Sequence, residues 1–151
     1  MSNRSLEKSI RLTHLCITLF ALLLGVLCIS APWLFGSYIR LRGPILEGKL
    51  PHLLTSFYLT AIPAAFTLHD LRRLLYSISE KKVFTVQNTI ILRQISGCCA
   101  AASLVCFVST FYYISFVALA VFGGFLALVL RVLAAVFEQA VNIKQENDYT
   151  I

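Results

Sequence analysis

Three histidines (His14, His52, His69) and five cysteines (Cys16, Cys28, Cys98, Cys99, Cys106) are the side chains of widest chemical reach in this chain of 151 residues. Imidazole and thiolate hold zinc when three or four of them converge. Nothing here has that spacing. No two cysteines form a CxxC pair, and the histidines lie far apart, each near the end of an apolar block. His69-Asp70 is the best fragment, with His52 one helix length away at the opposite end of its block. No metal site and no cofactor are expected. Catalysis needs a nucleophile beside a base, or paired carboxylates. Cys98 or Cys99 with His69 is the nearest approach to the first, without support from spacing. For the second, no acid falls inside an apolar block, and Glu138 is the closest. The expected protein is not an enzyme. Its cysteines, odd in number and set in apolar segments, read as small buried hydrophobes rather than as a disulfide framework.

The polar groups left within the apolar blocks are hydroxyls, chiefly Ser56, Thr60, Ser103 and Ser109. Lining the pore of a small homo-oligomeric transporter or channel is one use for them. Against it, a lone hydroxyl in a span usually bonds its own helix backbone, and ion-coupled transport places ionisable groups at mid-membrane, where this chain has none.

The elements that must position these residues are set by hydropathy. Apolar residues make up 58% of the chain and charged residues 13%, against about 25% charged in soluble domains. The apolar residues come in blocks long enough to cross lipid. Residues 15–34 match the roughly 20 needed and follow Arg4, Lys8 and Arg11. The block is too long for a signal-peptide core and lacks a convincing cleavage site, so it reads as an uncleaved anchor. Trp33 and Tyr38 suit the far interface, and residues 36–49, with Arg40, Arg42, Gly43-Pro44 and Gly48, read as a loop. Residues 50–68 form a second block, with Pro51 in the first turn, Pro63 as a kink, and Ala61 and Ala65 as a small-xxx-small pair. Residues 95–130 carry no charge. A single helix of that length would measure about 54 Å, well beyond a core of about 30 Å. Two spans, 95–112 and 114–131, joined by a tight turn around Phe111-Tyr112-Tyr113-Ile114-Ser115 resolve the excess. Ala120 with Gly124 gives the last span a close-packing pair, and Arg131 can snorkel to the head groups.

Between the second and third blocks lies a connection, 69–94, with Arg72, Arg73, Lys81, Lys82 and Arg93. Its first part extends the second helix, residues 79–82 read as a turn, and Thr85 is a good N-cap for the next helix. Asn88 stands where a capping box would have Glu or Gln. Most of the Lys and Arg lie on the side that holds the N-terminus, this connection and the C-terminus, which makes that side cytoplasmic. The net charge of +6 then reflects topology and anionic lipid rather than nucleic acid, and no direct nucleic-acid binding is expected. The tail, 138–151, shares that side, so Glu138, Glu146 and Asp148 are placed to face Arg72, Arg73, Lys81 and Lys82. Exposed pairs of this kind contribute about 0–1 kcal/mol each, so Tyr149 and Ile151 would have to add apolar contact. The plain alternative is a solvated helix end.

Two stretches resemble signatures of a bacterial membrane family without assigned function, the domain-of-unknown-function 2975 family. One is Val83-Phe84-Thr85 with Asn88, Leu92-Arg93 and Ile95. The other is Phe137-Glu138, Ala140-Val141 and Lys144, followed by Glu146-Asn147-Asp148 and Thr150-Ile151. Gly97 falls one step later than in the family pattern, and Gln145 replaces a frequent acid. The resemblance implies about four transmembrane helices and no established reaction. It also implies, by association only, a cytoplasmic helix-turn-helix regulator as partner. The expected fold is thus an all-α integral membrane protein of four transmembrane helices with cytoplasmic helix extensions, forming a single domain, 1–151, in the cell membrane with both termini inside. The expected function is that of a sensor or accessory protein. Phe84, Thr85, Asn88, Arg93, Glu138, Glu146, Asn147 and Asp148 are the candidate structural or docking residues.

Overall fold

A computed structural model describes residues 3–42, 48, 50–80 and 85–149; within these, the side chains of 3–10, 42 and 147–149 lie outside the description. The described chain is all-helical: α1 (Asn3–Arg42), α2 (Leu50–Ser79), α3 (Val86–Ser109) and α4 (Phe116–Tyr149). Three helices are long and apolar enough to cross a membrane, over Arg11–Leu41, Val86–Ser109 and Phe116–Glu146. The fourth expected span, in α2, is not among them. Pro51, His52, Thr55, Ser56, Tyr58, Thr60, Pro63 and Thr67 dilute its apolar residues, and α2 packs against both α1 and α3.

Residues 36–42, expected as loop, are helical and continue α1. Packing supplies the reason. Phe35 meets Phe57 edge-on at 5.6 Å, and the hydroxyls of Tyr38 and Tyr113 share a hydrogen bond of 2.8 Å. Pro32 lies inside α1. It has no N–H to offer the carbonyl four residues back, and the Tyr58 hydroxyl donates to that carbonyl, Cys28 O, at 2.9 Å. A neighbouring helix thus satisfies a backbone group that lipid cannot. Gly48 has φ +83°, a left-handed conformation that favours glycine.

The helices pack in chain order: α1 on α2, α2 on α3, and α3 on α4. Burial is inside out. Leu19, Leu22, Ile29, Phe107, Phe122 and Phe125 are exposed, whereas the buried set is rich in Ala and Ser. On α4 the buried residues are Ala120, Ala127, Ala134 and Val141, a seven-residue repeat suited to a left-handed seam. Facing them, Ser96 Oγ donates to Ala127 O at 2.8 Å and Ser103 Oγ to Ala120 O at 2.6 Å. These bonds fix an antiparallel register. Gly123 allows the approach, since a Cβ there would stand 3.3 Å from Ser103 Cβ. The turn between α3 and α4 occupies residues 110–115 and carries Tyr112 and Tyr113. One end of the array therefore collects tyrosines, while the other collects the charges at the start of α3 and the end of α4.

Candidate functional site

At the charged end, Thr85 caps α3 from extended backbone (φ −132°, ψ 149°), and its hydroxyl accepts from the Asn88 backbone N–H at 3.3 Å. Asn88 is fully buried at 0% exposure, and Thr89 beside it is buried too. The Thr85–Asn88 corner is therefore a packed structural unit. Arg93 donates to Glu138 at 2.6 Å, with both side chains about half exposed. This corrects the pairing expected for Glu138. Glu138 meets Arg93 on α3, not Arg72 or Arg73 on α2, because α3 packs against both α2 and α4 and stands between them. Phe84, Lys81 and Lys82 lie outside the described residues. Glu146 is exposed on α4, and Asn147 and Asp148 continue its backbone.

The seam register also sets how far α4 reaches. Val86, ten residues before Ser96, falls level with residue 137 of α4, so α4 overruns the start of α3 by about 12 residues, or roughly 18 Å. Within this overrun Ile143 is exposed; Val132 and Val136, on the same outward face opposite the Ala134–Val141 stripe by the 100° helical step, lie level with Ile91 and Gln87 of α3.

The tyrosine end holds polar chemistry that the sequence reading missed. Ser109 Oγ lies 2.8 Å from both Ser56 Oγ and Val105 O, with one proton to donate between them. Tyr112 OH lies 2.6 Å from Ser56 Oγ and 3.1 Å from Ser109 Oγ, closing a hydroxyl triangle across α2, α3 and the turn. His52 leans on the Tyr112 ring at 5.6 Å, and Ser109 is 1% exposed. No local pattern announces this cluster, because its members come from positions 52 to 112 and were legible singly as interfacial residues or lone hydroxyls. Beneath the Tyr38–Tyr113 bridge lies an apolar cavity of about 270 Å³, lined by Leu27, Ala31 and Phe35 of α1, Phe57 of α2 and Phe116 of α4.

The hydroxyls weighed as pore linings have other employment. Thr60 donates to Ser56 O in its own helix at 2.7 Å, while Ser103 and Ser109 bond across helices. His69 Nδ1 stands 3.5 Å from Asp70. Among the described residues, no three of His, Cys, Asp and Glu come together as a metal-binding group.

A family model described as "Protein of unknown function (DUF2975)" matches residues 31–151. No curated protein and no solved structure matches the chain.

Proposed function

This chain belongs to the DUF2975 family of proteins of unknown function, and from that premise we propose that it is a non-enzymatic sensor or accessory protein of the cell membrane. It crosses the bilayer four times, with both termini in the cytoplasm, and acts through a cytoplasmic protein partner. α2 makes the fourth crossing beside α1 and α3, where Ser56 and Tyr58 bond neighbouring elements and Thr55, Thr60 and Thr67 bond their own helix. The observation that carries the reading is the overhang of α4. A helix that is only an anchor can end at the lipid boundary. This one continues to Tyr149 as one rod, braced to α3 by Arg93–Glu138, and it carries exposed Ile143 among polar and charged residues. An amphipathic helix face of that kind suits a protein surface.

The partner's contact is Ile143 together with Glu146 on the overhang. The Thr85–Asn88 corner sets the angle at which α3 supports it. A photoreactive residue at Ile143, activated in native membranes, is expected to give one discrete heterologous adduct that disappears when Arg93 and Glu138 are both replaced by Ala. Adducts to lipid alone would overturn the reading. So would a reporter fused to either terminus that is active only on the outer side.

A further inference from the structure

We propose that the cavity under the Tyr38–Tyr113 bridge is a binding site for a single acyl chain whose carboxyl or ester end lies at the two tyrosine hydroxyls. Its dimensions select the occupant. The lining residues of α1 run from Leu27 to Tyr38, about 16 Å of helix at 1.5 Å per residue, so even the whole empty space between the walls and out to the open side, about 680 Å³, leaves roughly 42 Å² in cross-section. A helix about 10 Å across needs roughly 80 Å². Neither a second copy nor a partner's helix fits, whereas one extended hydrocarbon chain does. The depth is also about half of a ~30 Å hydrocarbon core, the reach of one leaflet.

The lining chemistry agrees. Leu27, Ala31, Phe35, Leu53, Phe57 and Phe116 give an almost wholly apolar wall. The cavity volume of about 270 Å³ is nearly twice that of a dry apolar cavity of about 150 Å³ that accepts benzene. The polar atoms stand at the mouth, where Tyr38 and Tyr113 meet at 2.8 Å, and tyrosine rings favour the head-group level. The site exists because α1 and α4, the outer members of a sequentially packed array, do not close against each other along their lengths. The site is open on one side and walled by α1, α2 and α4 on the others, whereas Leu19 and Leu22 are simply exposed.

The test uses the full chain in phosphatidylcholine nanodiscs. One arm carries a free fatty acid with a diazirine near the chain tip; the other carries phosphatidylglycerol with the same chain. Labelled residues are mapped by mass spectrometry. The proposal expects label on Leu27, Ala31 or Phe57 that saturates at low mole fraction and is competed by unlabelled chain. The arm that labels reports whether the head is a carboxylate or a glycerophosphate. Ala31→Phe and, independently, Leu53→Phe should reduce this label to the background seen at Leu19 and Leu22, with the helical signal and melting temperature retained in at least one of them. Unsaturable label spread over Leu19 and Leu22 would overturn the proposal. So would site label that survives both fillings, or a photo-crosslinker at Leu34 that joins two copies.

Discussion

Replacing Gly123 with Leu tests the α3–α4 seam most directly. An ideal Cβ at Gly123 would stand 3.3 Å from Ser103 Cβ and 3.5 Å from Ser103 Cα, and one at Gly124 would stand 3.2 Å from Ser103 Oγ. Carbon atoms pack at about 3.5–4.0 Å, so even a methyl group crowds the seam, and an isobutyl group must part the helices. Parting them breaks the 2.6 Å bond from Ser103 to Ala120 O. An interhelical bond in a membrane is worth about 0.6 kcal/mol on average and up to ~1.7. Overpacking adds about 1–3 kcal/mol, and the helix-propensity gain over Gly returns somewhat under ~1 kcal/mol. The net loss is about 1–3 kcal/mol. Gly25 supplies the control, since a Cβ there meets nothing within 4 Å. Gly25→Leu should gain only the propensity term. Equilibrium unfolding of purified protein in mixed dodecyl maltoside and dodecyl sulfate micelles, followed by far-ultraviolet circular dichroism, reads both. Ser103→Gly in a Gly123→Ala background should recover part of the loss by returning the missing space. If the two Leu variants unfold within about 0.5 kcal/mol of each other, below the smallest overpacking cost, the close-approach reasoning fails.

Thr85→Ala should cost about 1 kcal/mol by removing the cap, and Thr85→Ser should restore most of it, measured by the same unfolding assay. Ser56→Ala and Ser109→Ala should each destabilise by about 1 kcal/mol, with the double variant losing less than the sum by at least ~0.5 kcal/mol, because both break one triangle. Arg93→Glu and Glu138→Arg should each shift stability by no more than about 1 kcal/mol, since the pair is half exposed, and the double reversal should return it to the starting value. Tyr58→Phe should cost more in the native chain than in a Pro32→Ala variant, where the Cys28 carbonyl regains a backbone donor; a double-mutant cycle with no coupling would refute that assignment.

Much of the fold could be read from length and charge. An uncharged run over 95–130 cannot be one span, so a break had to fall inside it, and the structure breaks at 110–115. The Thr85 cap needed only local chemistry, since a hydroxyl before an apolar run has few other uses there. What the sequence hid was lateral. Residues 36–42 have loop-like composition, and α1 stays helical through them beside contacts of Phe35 with Phe57 and of Tyr38 with Tyr113, partners distant in sequence. The charge partner of Glu138 was misassigned for the same reason. Counting charges on one side of a membrane does not say which helix stands between two others. The hydroxyl triangle joins Ser56 to Ser109 and Tyr112, a meeting that no periodicity within either helix encodes.

The seven-residue stripe on α4 carries a further physical argument about where lipid ends. Between apolar helices in hydrocarbon, large side chains gain nothing by burial, because lipid tails are as apolar as leucine; small residues that let backbones approach are favoured instead. Ala120, Ala127 and Ala134 follow that logic, each nearly inaccessible against α3. One heptad later the same stripe carries Val141, buried at 6% exposure. In water, unlike lipid, a larger apolar side chain is stabilised by burial, at about 25 cal/mol per Å². If α4 crosses the bilayer as proposed, the switch from alanine to valine marks its passage from hydrocarbon into water, and Glu138, between Ala134 and Val141, stands at that boundary with its partner Arg93. Val141→Ala should accordingly destabilise the protein, by about 1 kcal/mol for two lost methyl groups, whereas Ala134→Val should destabilise it by crowding. Were Val141→Ala neutral and Ala134→Val stabilising in micelles and in bilayers alike, the boundary would have to be moved toward the end of α4.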